Sequence, residues 1–154
     1  MIMKTITKQE INDYVGYQAE PTEWHQVTQQ QINQFADCTR DHQYIHTDPQ
    51  RAKDTPFGGT IAHGFLTLSM LSHFAESFSL TLDGIYMGVN YGFDSIRFLA
   101  PVKVNSRIRA HAKTLEISEK KPGQFISKTE VTIEIENEEK PALIAVWIGM
   151  QMVA

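Results

Sequence analysis

The sequence predicts an α+β fold in which a mostly antiparallel sheet wraps one long central helix, and three observations carry that expectation. Residues 61–78 hold apolar side chains around most of a helical circumference, so this segment reads as a helix buried on nearly all sides. Beyond Gly84 the apolar pattern changes to the two-residue period of strands. The joints between those strands are too short for crossover helices, which leaves antiparallel pairing. At 154 residues, with 42% hydrophobic and 21% charged side chains, the chain is expected to form a single globular domain over 1–154.

Taken in order, the chain opens with a short helix expected around 7–13 and a brief strand from Glu23 to Val27. Thr28 with Gln31 then makes a capping box, and Ile32, Phe35 and Ala36 fall at helical spacing behind it. That helix delivers the chain to Asp41. Asp48 before Pro49 marks another start, with an N-cap acid and a proline at the first helical position, running one or two turns to Lys53. Pro56 and the Gly58-Gly59 pair end it, and the long helix follows from Ile61 to Phe78. Strands are expected at 85–91 and 94–99, within Val102–Ile117, where Ile108, Ala110 and Ala112 alternate, and over Phe125–Ile135. A last strand, about Ala142 to Met152, is apolar on much of both faces and should lie centrally in the sheet.

Composition narrows the partners. A formal charge of −4 and the lack of a long Lys/Arg run speak against nucleic acid and anionic membranes, leaving a small molecule. The lone Cys38 cannot close an internal disulfide and reads as a small buried hydrophobe in a reducing compartment. The opening residues lack the apolar core of a secretory signal, and no apolar run approaches a bilayer span, so a cytoplasmic location is expected.

The chemistry concentrates between Asp41 and Gly64. An acid and a histidine five positions apart can share a water molecule, taking one proton from it and delivering another to carbon. The alternative is a turn-capping Asp41 beside an ordinary His46. Gly59 to Gly64 opens a helix whose first N–H groups are unpaired and whose dipole favours a developing negative oxygen. Those glycines could equally make the turn or allow close packing. His42 and His46 are four apart and His63 is near in sequence, but the 41–46 segment lies between two helix signals and no third ligand is evident, so no metal is expected. His63 is then a packing or hydrogen-bonding residue of the first helical turn. Ser72 falls two turns beyond Gly64, where its hydroxyl could orient a catalytic side chain or bond back to its own helix.

The run D-H-Q-Y-I-H from Asp41 to His46, with Ala52 and then G-T-I-A-H-G-F-L from Gly59 to Leu66, resembles the MaoC-like dehydratases, which include the (R)-specific enoyl-CoA hydratases. V-N-Y-G from Val89, R-F-L-A-P-V from Arg97 and the apolar last strand resemble the nodulation-protein-N-like branch. The resemblance implies a hot-dog fold, a catalytic pair of Asp41 and His46, a backbone donor to the thioester oxygen at Gly64 and a supporting serine at Ser72. It also implies a homodimer with an acyl-CoA or acyl-carrier thioester entering along the subunit interface, near Asn90 and Arg97, and no cofactor. Arg40 stands where the family motif has glycine, and Gln43-Tyr44 where it has Asn-Pro. The first change implies a turn without positive φ, the second a freer loop. Hydration of an enoyl thioester is the leading expectation. Thioester hydrolysis and non-catalytic thioester binding are the alternatives.

Overall fold

A computed structural model describes residues 3–154. The chain runs through strand β1 (Lys4–Ile6), a 3-10 helix (Lys8–Tyr14), β2 (His25–Gln26), helices α1 (Gln29–Thr39), α2 (Tyr44–Thr47), α3 (Pro49–Ala52), α4 (Gly64–Ser69) and α5 (Leu71–Phe78), then β3 (Leu80–Leu82), β4 (Ile85–Phe98), β5 (Arg107–Lys121), β6 (Gln124–Ile135) and β7 (Leu143–Val153). The main sheet has the order β2-β5-β6-β7-β4, antiparallel throughout, and a small parallel pair joins β1 to β3. Among the described residues no helix is long and apolar enough to cross a membrane.

The sheet curls around α4 and α5, which gives the hot-dog arrangement. Leu66, Leu71 and Phe74 pack against Ala110, Ala112, Val131, Ile133 and Ala145, all buried in one core. Each large side chain enclosed in this way contributes about 1.5–3 kcal/mol relative to exposure. The alternation over Phe125–Ile135 puts Phe125, Val131, Ile133 and Ile135 in the interior as expected. β7 lies between β6 and β4, which agrees with its two apolar faces. β5 turns back into β6 through Gly123, whose φ is +75° and where a Cβ would lie 2.6 Å from the Val153 carbonyl oxygen, so no side chain fits.

Several expectations change. The long helix begins at Gly64 rather than Ile61 and is resolved into two segments that join at the helical Met70. Ile61 and Ala62 are extended because their N–H groups bond the Ile45 and Val102 carbonyls, a tertiary pairing that apolar periodicity cannot register. Nor is the helix buried all round. Phe65 is 69% exposed, and Ser72 and His73 are exposed too, because the sheet of one chain covers only one side. The separate strands expected at 85–91 and 94–99 are one strand, β4, with irregularities near Gly92 and Asp94. The N-terminal helix is 3-10, and β1 and β3, which pair across about half of the chain, had no local signal. Cys38 is exposed rather than buried, on the outer face of α1.

Candidate active site

Thr28 caps α1 as its sequence requires, its hydroxyl accepting from the Gln31 N–H. The helix ends at Arg40 with φ +62°, so the turn before Asp41 does adopt the left-handed conformation, contrary to the inference from its missing glycine. Arginine bears that strain because the chain must reverse between α1 and α2. Asp48 caps α3, its Oδ1 accepting from the Gln50 and Arg51 N–H groups at 3.1 Å. Between the end of α1 and the Asp48 cap runs the short helix α2, and His46 lies in it.

The His46 imidazole is 7% exposed, and its Nδ1 is 2.7 Å from the Ile61 carbonyl oxygen. A carbonyl only accepts, so Nδ1 carries the hydrogen and the lone pair resides on Nε2. Burial holds the imidazole below the ordinary histidine range. The neighbouring His63 pushes the same way, while the Ile61 bond and the Asp41 carboxylate oppose. Its main chain is pinned as well. Gln29 donates from Nε2 to the His46 carbonyl at 2.8 Å and accepts from the buried Thr60 hydroxyl.

Asp41 is half-exposed, at 54% of its side chain, and its Oδ1 accepts from the Gln43 N–H. A carboxylate oxygen of Asp41 and ring nitrogens of His46 and His63 lie within 4.8 Å of one another. Folding therefore brings together a third ligand-type group that the sequence did not signal. The two imidazoles are stacked, with centroids 3.8 Å apart and planes 24° from parallel. Ligands of one zinc ion sit about 3–3.5 Å from each other with lone pairs converging on it, whereas stacked rings direct theirs side by side. These three residues are the set that could hold a metal, but their orientation suits proton transfer better. His42 faces Asp37 at 2.8 Å, outside this group.

His46 and Gly64 line one cavity of about 260 Å³ together with Ala62, Thr67, Phe98 and Val102. As the first residue of α4, Gly64 has an N–H without an intrahelical acceptor. A Cβ there would lie 3.1 Å from the Phe98 ring, so glycine keeps this wall open. Thr67, buried one turn on, is a polar lining residue that no sequence pattern marked. Ser72 and Asn90 do not join this cavity within one chain. Both line a larger one of about 570 Å³ between α5, the first half of β4 and the inner face of β5 to β7. The hydrogen bonds of the Asp41 and His46 side chains go to Gln43 and Ile61, not to Ser72.

Residues 10–138 match the family model of the MaoC like domain. The chain is 44% identical over 147 residues to nodulation protein N of Rhizobium leguminosarum bv. viciae, a match that covers 95% of this chain and 91% of that protein. It is 41% identical over 130 residues to 3-hydroxyacyl-thioester dehydratase Z of Mycobacterium tuberculosis, covering 84% of this chain and 85% of the relative. Its fold matches that of the (R)-hydratase from A. caviae with a TM-score of 0.71 at 22% identity, over 88% of this chain and 94% of the other.

Proposed function

The chain belongs to the MaoC-like dehydratase family and is a hydro-lyase of that kind, and from this premise we propose that it interconverts trans-2-enoyl-CoA and (R)-3-hydroxyacyl-CoA. The observation that supports this most is the setting of His46: its proton affinity lowered by burial, its Nδ1 on the Ile61 carbonyl and a carboxylate within 4.8 Å, beside a cavity that Gly64 also lines. Nε2 of that ring is the base for water. The O–H bond breaks toward the Asp41–His46 pair as the oxygen bonds the β-carbon, and the pair returns a proton to the α-carbon. H and OH are thereby added across the double bond with no external reductant or oxidant. The Gly64 N–H receives the enolate oxygen that develops between these steps.

A carrier-protein thioester would serve as well as CoA, since the chemistry involves only the acyl end. The working form in this reading is a homodimer paired through β4. That strand is a 14-residue sheet edge that exposes Tyr86, Met87, Val89 and Tyr91, and an exposed apolar edge of this length invites a second strand. Ser72, Asn90 and the larger cavity then supply the acyl-binding surface at or near the interface.

Crotonyl-CoA hydration, followed as loss of enoyl absorbance, tests the assignment. Asp41→Asn and His46→Gln are each expected to lower kcat by about 10²- to 10⁴-fold. Full activity in both variants removes the pair from the mechanism. Free thiol released from acyl-CoA in the same preparations would point to hydrolysis, the competing use of the same oxyanion donor.

A further inference from the structure

His63 has no part in the reaction drawn above, yet its side chain is 3% exposed and lies against both Asp41 and His46. Its ring lies between Phe35, at 5.0 Å, and His46, at 3.8 Å. Its Nε2 is 3.0 Å from the Asp41 main-chain oxygen, which can only accept, so Nε2 carries the hydrogen. Its own carbonyl accepts from the Leu66 and Thr67 N–H groups at 3.0 and 3.2 Å and so starts α4 directly before Gly64. Nδ1 is buried and has no partner among the described residues. An unpaired buried nitrogen is a cost that a phenyl ring filling the same space would not carry. Packing alone therefore favours a hydrocarbon at this position, and what an imidazole adds is the bond to Asp41.

We propose that His63 is a positioning residue, whose single ring holds the Asp41 main chain by hydrogen bond and His46 by stacking, directly before the Gly64 donor, so that acid and base keep one geometry against it. Misplacement by about 1 Å in such a constellation can cost roughly 100-fold in rate. The ring does this without contact to substrate, so its loss acts on kcat more than on KM. Glutamine carries an amide N–H at nearly the same reach as Nε2 and can restore the bond to Asp41, whereas phenylalanine restores only the stack.

The proposal rests on the hydration reading for its kinetic arm alone. His63→Phe is expected to melt within about 3 °C of the wild type or above it, with kcat for crotonyl-CoA lowered about 10- to 100-fold and KM changed by less. His63→Gln is expected to recover about tenfold of that loss. Wild-type kcat in the stable Phe variant overturns the proposal, as does a kcat no higher in His63→Gln than in His63→Phe. If His63→Phe does not fold, the Gln variant and the wild-type ring decide. Nitrogen-15 NMR of the wild type should show His63 as the Nε2–H tautomer with a slowly exchanging ring proton, and the Nδ1–H tautomer overturns the proposal. A wild type that does not hydrate crotonyl-CoA refutes the proposed function, while the tautomer still tests the bond to Asp41.

Discussion

His46 and His63 show how far the environment of a residue decides what its side chain can do. Both are neutral-capable imidazoles in one stack, but each donates to a different carbonyl, so they present opposite nitrogens to their surroundings. His46 has its free lone pair on Nε2, lines the cavity, and is held below its ordinary value of 6.5 by burial. Unfolded, it takes a proton as pH falls through that value. Folded, it resists, so the unfolded state binds more protons and stability declines on acidification. The melting temperature of the wild type should therefore drop between about pH 7 and about pH 5, in the histidine range. His46→Gln should drop less over the same interval. A variant that loses as much as the wild type would mean that His46 titrates normally in the fold.

At the scale of elements, the site is assembled from three short segments clasped by main-chain and amide bonds. Ile61 donates its N–H to Ile45 and accepts from the His46 ring, so the extended residues before α4 lie directly against α2. Gln29, at the start of α1, ties both together through the His46 carbonyl and the Thr60 hydroxyl, with Asn33 as a further partner at 2.9 Å. Thr60 is fully buried, so removal of the amide leaves a hydroxyl and a carbonyl unpaired. Gln29→Leu is expected to lower unfolding free energy by about 1–3 kcal/mol, read from urea denaturation. It should also lower kcat, because His46 loses its main-chain anchor. An unchanged denaturation midpoint would show that water replaces the amide. The capping threonine of α1 and the capping aspartate of α3 were legible in the sequence because a cap acts within three residues. The clasp was not, since its partners are 15 to 31 positions apart.

Across the whole molecule, several of the exposed large apolar side chains belong to β4 and α4. β4 contributes Tyr86, Met87, Val89 and Tyr91, and α4 adds the exposed Phe65, which meets Phe98 edge to face at 6.1 Å. A helix that the sequence describes as apolar all round is half-covered in one chain, which is what a second copy against the same side would explain. If the proposed pairing through β4 holds, lysine at both Met87 and Val89 should convert the dimer into a monomer in size-exclusion chromatography with light scattering, since charged edge strands resist pairing. Hydration activity should fall with it, because the larger cavity borders the same strand. A wild type that elutes as a monomer and is fully active would refute the paired form.

Local patterns in the sequence were enough for the main helices and the long strands that follow them, the antiparallel sheet, the caps and the Asp41, His46 and Gly64 spacing, because each depends on neighbours a few residues away. Tertiary structure decided what those patterns could not encode. It put Ile61 and Ala62 in extended pairing instead of in the helix, gave Arg40 its left-handed turn and paired β1 with β3 across about half of the chain. It also stacked His63 on His46 and bonded it to Asp41, while Ser72 and Asn90 went to a separate cavity. The physical reason is range: hydrogen bonds and ring contacts between residues distant in sequence are made by the packing of the core, and no periodicity along the chain carries them.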